Sequence, residues 1–236
     1  MITFIDLFAG IGGFSLGFER AGLKCIGQVE KNEFCIKVLE KYWPNVKKIR
    51  DIKNVRKGDF ERPYVISAGY PCQPDSSAGK RRGTKDDRWL WPETCHIVEE
   101  YRPSWFIGEN VINHENMGLK VVISDLESIR YQVRPFIIPN AACQLQTVER
   151  HIWIIATPVS ERFKRCETDT NSYIGKTWKF QGADKRIEDG WNLPESRVCR
   201  TRKGFPDWMD RIIALGNAVP PQIPEIIGRM ILEIER

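Results

Sequence analysis

Through residue 157 the chain alternates short apolar runs with stretches of helical spacing, and that alternation limits the fold more than any other feature. ITFIDLF, KCIGQVE, YVISAG, SWFIGENV, YQVRPFIIP and HIWIIAT read as strands. GGFSLGFERAG, NEFCIKVLEKYW, DRWLWPETCHIVEEY and MGLKVVISDLESIR read as helices, the second stopped by Pro44. Strands separated by helices of about 10–15 residues predict a parallel α/β sheet with both faces covered. The period fails after Thr157, where residues 158–205 are polar, basic and rich in turn residues. Order resumes at Phe205 and ends in an amphipathic helix after Pro220 and Pro221, with Ile223, Ile226, Ile227, Met230 and Ile231 set to pack as core. The predicted organisation is therefore a main α/β domain over 1–157, a small irregular insertion over 158–205, and a segment over 206–236 that returns to the first domain.

Composition removes several classes. An apolar content of 42% with 28% charged residues is that of an ordinary folded domain. No apolar run approaches the roughly 18–20 residues that span a bilayer. MITFIDLFAG lacks the basic start of a signal peptide, and Asp6 interrupts its apolar run, so a cytoplasmic location is expected. Seven cysteines without a CxxC pair fit a reducing compartment. His96, His114 and His151 are scattered, so no metal site is expected. Residues 157–205 carry 11 Lys and Arg against 7 Asp and Glu, while the rest of the chain holds 25 against 24. That local excess suits contact with a polyanion.

DLFAGIGGF, Asp6 to Phe14, follows the first strand and opens a helix. Glycines at such a turn let backbone approach a ligand closely. Gly10, Gly12 and Gly13 do not make G-x-G-x-x-G, because Ser15 takes the last place, and no P-loop Gly-Lys-Ser/Thr is present. Dinucleotides and nucleoside triphosphates are disfavoured. Glu30, twenty residues beyond Gly10, ends the second strand, where an acid can grip ribose hydroxyls. The combination points to an adenosyl ligand such as S-adenosylmethionine. The competing reading is a tight structural turn and a surface glutamate.

Two residues stand at carboxyl ends of predicted strands, where open α/β sheets bind ligands. Cys72 lies in GYPCQPDSSAGKRRG, between Pro71 and Pro74 and ahead of Lys80, Arg81 and Arg82. A packing cysteine needs neither feature. Prolines hold the sulfur in place, and nearby cations lower a thiol's pKa towards the reactive thiolate. Gly79 and Gly83 are placed to let the basic stretch swing as a lid. Glu109 ends SWFIGENV and is placed to share a proton with a substrate. The plain alternative is a strand-end acid facing solvent.

Together these pieces resemble the DNA cytosine-5 methyltransferase family. DLFAGIGGF is similar to its first motif, PCQ at 71–73 to its nucleophile motif, ENV at 109–111 to its acid motif and GNAVPPQ at 216–222 to its last, in the family's order. The resemblance covers about residues 1–157 and 206–236. The short length and the run from GYPCQP through DDRWLWPE look most like phage- or prophage-encoded members. The implied fold is a Rossmann-like α/β methyltransferase sheet with a small target-recognition insertion over 158–205. The implied reaction flips a cytosine out of duplex DNA, attacks its carbon 6 with Cys72, steadies the ring with Glu109, and places a methyl group from S-adenosylmethionine on carbon 5. Implied cofactor contacts are Phe8, Gly10, Ile11, Gly13, Glu30, Asp51, Pro71, Asn217 and Val219. Gln73, Ser76, Lys80, Arg81, Arg82, Arg165 and Lys179 are the candidate DNA contacts. A monomer acting on double-stranded DNA without a membrane is expected, and a restriction nuclease is a candidate companion. So short a reader predicts a target of roughly 2–4 base pairs.

One motif departs from the family. The family places Gln-x-Arg-x-Arg before the strand that here reads HIWIIA, whereas this chain has QTVERH, Gln146 to His151. Aligned to the strand, Glu149 and His151 stand where arginines belong. Aligned on Gln146, Val148 and Arg150 do. Arg150 and His151 are accordingly the candidates to act beside Cys72 and Glu109, His151 as a hydrogen-bond donor. Three rivals remain at this level: an RNA cytosine-5 methyltransferase, a catalytically weakened relative that binds DNA or cofactor, and a dinucleotide enzyme that the glycine turn disfavours.

Overall fold

A computed structural model of the chain describes residues 1–71, 89–112, 114, 118–139, 150–159 and 218–236. Seven strands form one sheet: β1 (Thr3–Leu7), β2 (Lys24–Val29), β3 (Lys47–Ile49), β4 (Val65–Ala68), β5 (Trp105–Val111), β6 (Tyr131–Pro139) and β7 (Arg150–Pro158). Among the described residues five α-helices accompany it: α1 (Gly13–Ala21), α2 (Glu33–Tyr42), α3 (Trp91–Tyr101), α4 (Leu119–Ser128) and α5 (Gln222–Ile234). The strand order is β3-β2-β1-β4-β5-β7-β6.

The expected parallel sheet is found over β3, β2, β1, β4 and β5. It fails at one edge, where β7 runs antiparallel to both β5 and β6. The reason is connectivity. Parallel neighbours need a crossover of about a dozen or more residues, whereas only ten separate β6 from β7. β3 escaped the sequence reading because KKI is short, charged and paired on one side only. The helix anticipated from Asp87 begins at Trp91, with Pro92 in its first turn, where a missing N–H costs nothing.

Alternation along β1 sends Phe4 to one face and Ile5 and Leu7 to the other. On the first face Phe14 and Phe18 of α1 meet Ile223, Ile227 and Ile231 of α5. On the second, Trp91, Ile97 and Val98 of α3 meet Val122 and Leu126 of α4. Of the five apolar residues foreseen as core in the last helix, these three isoleucines are buried at i, i+4 and i+8, and Ile226 and Met230 are half-buried.

The α1–α5 approach depends on missing side chains. A Cβ on Gly17 would stand 2.3 Å from the Pro221 carbonyl oxygen and 2.7 Å from Pro224 Cβ. A Cβ on Gly13 would stand 2.1 Å from the Val219 carbonyl oxygen. These contacts seat residues 219–224 against the first glycine turn. Gly17→Ala gains roughly 1 kcal/mol of helix propensity, but overpacking against backbone costs about 1–3 kcal/mol. Because backbone rather than a flexible side chain must give way, the steric cost wins, and the denaturation midpoint of Gly17→Ala is expected below wild type.

Candidate active site

The carboxyl ends of β1, β2, β4 and β5 meet along one edge of the sheet. After β1 the chain turns through Phe8 (φ 57°), Gly10 (φ 55°) and Gly12 (φ 91°). Left-handed backbone is cheap for the glycines and costs Phe8 roughly 1–2 kcal/mol. Glu30, just past β2, holds that turn. Its carboxylate accepts from Gly10 N–H at 2.7 Å and from the N–H groups of Lys31 at 2.8 Å and Asn32 at 2.7 Å. Asp51 follows β3, accepts from Lys53 N–H at 3.0 Å, and has Lys31 Nζ at 3.7 Å. No atom among the described residues lies within 4 Å of where a Gly10 Cβ would stand, so space is open beside the backbone there. Glycine turn, ribose-type acid and second acid together fit an adenosyl group.

Gly12 caps α1 with no side-chain acceptor. The acceptor comes from inside β1 instead. Asp6 Oδ2 receives Ser15 N–H at 3.1 Å and Ser15 Oγ–H at 2.8 Å, while Asp6 Oδ1 receives Ser67 Oγ–H at 3.0 Å. Gln28 Nε2 donates to Ser15 Oγ at 3.0 Å. Sequence reasoning saw Asp6 only as an interruption of an apolar run. The available signal was an acid in a strand directly ahead of a glycine turn. Burial pushes its carboxyl up to about 7, against the lowering effect of the Ser15 and Ser67 bonds. The folded protein thus holds this proton more tightly than the unfolded chain. Stability from Asp6 is complete below pH ~3.8 and is lost as pH rises towards 7, by about 1.4 kcal/mol per pH unit. Asn at position 6 can accept from Ser15 and donate to Ser67 without titrating. The stability difference between Asp6→Asn and wild type should therefore grow in favour of the variant from pH 4 to 7, measured by urea midpoints. Parallel profiles would contradict this account.

Glu109 lies in β5 and is 9% exposed. In the antiparallel ladder it sits opposite Trp153, while Val111 sits opposite His151. Residues two apart share a face, so Glu109 and His151 are diagonal neighbours. His151 Nδ1 lies 2.5 Å from Glu109 Oε1. The other carboxylate oxygen, Oε2, lies 3.4 Å from where a Gly69 Cβ would stand, and Val219 Cγ2 is 3.8 Å from the same point. Arg150 does not join this pair. It is exposed, and as the residue before His151 it starts on the opposite face of β7.

The next residue of β5 grips the segment that leads to Cys72. Asn110 Nδ2 donates to the Tyr70 carbonyl at 3.0 Å, and Asn110 is 4% exposed. Pro71 is the last described residue before the proposed nucleophile. Cys72, Gln73, Ser76, Lys80, Arg81, Arg82, Glu149, Arg165, Lys179 and Asn217 lie outside the described residues, as does 160–205. The structure thus brings together Gly10 with Glu30, Gly13 with Val219, and Glu109 with His151 and Gly69, on the edge where Pro71 hands the chain to Cys72.

A model of the C-5 cytosine-specific DNA methylase family matches residues 2–173, well over half the chain. The chain belongs to this family. Among curated relatives, the Type II methyltransferase M.BsuFI of Bacillus subtilis is 35% identical over 137 residues, 56% of this chain and 33% of that protein. M.BanI of Aneurinibacillus aneurinilyticus is 35% identical over 167 residues, 65% of this chain and 38% of that one. The chain spans about a third of the length of the curated relatives it matches. Among solved structures, a putative DNA modification methyltransferase encoded within an E. coli prophage superposes with TM-score 0.56 at 23% identity, over 67% of this chain and 47% of that one. S. pombe Dnmt2 gives TM-score 0.58 at 16% identity, over 71% and 56%. These likenesses establish the Rossmann-like methyltransferase fold. Among the described residues, no helix is long and apolar enough to cross a membrane.

Proposed function

We propose that this family member transfers a methyl group from S-adenosylmethionine to carbon 5 of a cytosine flipped out of duplex DNA, through a covalent bond to Cys72. The observation that carries the reading is the Glu109 carboxylate. It is nearly buried at the sheet's carboxyl edge, paired with His151, and one residue from the Asn110 amide that fixes the entry to Cys72. Phe8, Gly10, Ile11, Gly13, Glu30, Asp51, Pro71, Asn217 and Val219 would hold the cofactor. When bound, S-adenosylmethionine supplies an electrophilic methyl group.

The chain's own residues do the rest. Cys72 thiolate bonds to carbon 6, and electron density moves into the ring towards N3 and carbon 5. Glu109 faces N3 and the amino group and, as the general acid, passes a proton to N3 as the adduct forms, so the ring carries no net charge; the proton returns to Glu109 when the sulfur leaves. Once carbon 5 carries the methyl group, loss of its proton to a base re-forms the double bond and the carbon 6–sulfur bond breaks. Cys72 leaves as thiolate, so atoms and charge balance. Residues 158–205 carry target recognition, with Arg165 and Lys179 on phosphates, while Gln73, Ser76, Lys80, Arg81 and Arg82 meet the DNA around the flipped base.

A second reading, a weakened enzyme, is favoured by one observation: the group facing Glu109 is a histidine, where the family's motif supplies an arginine. Labelled methyl transfer from S-adenosylmethionine to duplex DNA and, separately, to a tRNA pool tests both readings. Transfer to duplex DNA supports the main reading. Transfer to tRNA alone overturns the substrate assignment, and cofactor binding without turnover supports the weakened enzyme.

A further inference from the structure

The one buried histidine away from the Glu109 pair has a distinct position. His114 is 1% exposed, and its Nε2 lies 3.0 Å from the Tyr70 hydroxyl. Its ring meets the edge of Tyr70 at 5.4 Å between centroids and lies 6.1 Å from Trp89. Tyr70 is the second residue before Cys72, and Trp89 is the first described residue after the basic run. Gly118 closes the group: a Cβ there would stand 2.6 Å from His114 Cε1 and 2.7 Å from Trp89 Cη2. The Tyr70 backbone is already held by Asn110. His114 Nδ1 is buried with no hydrogen-bond partner among the described residues. A lone acceptor is tolerated in a core better than a lone N–H, which favours the tautomer whose Nε2–H donates to Tyr70. Burial pushes the imidazole down to about 4, so the ring is neutral at pH 7.

We propose that His114 is a positioning residue, whose ring joins Tyr70, where the chain enters the Cys72 segment, to Trp89, where it leaves. His114 touches neither base nor cofactor in this account; it acts through Tyr70 on the placement of Cys72. The hydrogen bond and the closed contact with Gly118 are what set this residue apart.

The test compares His114→Phe, Tyr70→Phe, their double variant, His114→Gln and Gly118→Ala. His114→Phe and Tyr70→Phe should each lower kcat about 10-fold, with KM for cofactor and DNA within about twofold. The double variant should be no worse than either single, because both remove the same bond. His114→Gln, which keeps a donor amide, should recover part of the rate, and Gly118→Ala should lose it by pushing the ring aside. The kcat arm rests on the methyltransferase reading. Tryptic cleavage after Lys80, Arg81 and Arg82 does not, and it should accelerate about 10-fold in His114→Phe while other tryptic sites keep their rates. If wild type transfers no methyl group, that reading fails and proteolysis still decides this one. The proposal is overturned if kcat and cleavage stay within twofold of wild type, or if every tryptic site accelerates together, which marks lost global stability alone.

Discussion

Cys72→Ser should lower methyl transfer by roughly 10⁴-fold or more while leaving cofactor and DNA binding within about twofold. The reaction needs a nucleophile that adds to an aromatic ring carbon and later departs. A cysteine is a few per cent thiolate at neutral pH even unassisted, and the thiolate is strongly nucleophilic. Serine has the same shape but presents an unionised hydroxyl. Nothing described in the structure depends on the sulfur: Tyr70 is held by Asn110 through its backbone and by His114 through its hydroxyl. The variant should therefore fold as wild type, and single-turnover kinetics should show lost chemistry with retained binding. A rate within tenfold of wild type would remove Cys72 from the mechanism.

Glu109→Gln should lower kcat by about 10²–10³-fold, within the range that acid–base groups contribute. The substitution is close to isosteric, and the Gln carbonyl can still accept from His151. What disappears is the exchangeable proton offered to N3 of the cytosine ring. At 9% exposure the site is largely shielded from water, so the lost interaction is not replaced by solvent. His151→Ala should cost about 10-fold, less than Glu109→Gln, because it removes the partner and leaves the acid. Since the two side chains touch at 2.5 Å, the double variant should fall short of the product of the single effects. Purely multiplicative effects would mean that His151 acts apart from Glu109.

Much of this arrangement is legible in one dimension because short-range patterns carry it. The strand, glycine turn and helix from Thr3 to Ala21 are local, and Glu109 ends an apolar run that only a buried strand explains. What stayed hidden depends on long-range register. Glu109 meets His151 only because β7 turns back antiparallel to β5, and an apolar run looks the same in either direction. Asp6 reads as a polar fault in a strand until the fold shows it capping α1, with Ser67 brought from 61 residues away. His114 reads as one scattered histidine because its partners Tyr70 and Trp89 come from either side of the Cys72 segment. β3, three residues long and charged, has too little pattern to announce itself.

The most direct test of the central claim is whole-plasmid mapping of 5-methylcytosine after expression in a host lacking its own cytosine methylation, with Cys72→Ser in parallel. The account predicts methylation at one short fixed sequence context in wild type and none in the variant. An unmethylated plasmid recovered alongside folded, cofactor-binding protein would contradict it, as would methylation that survives loss of the Cys72 thiol.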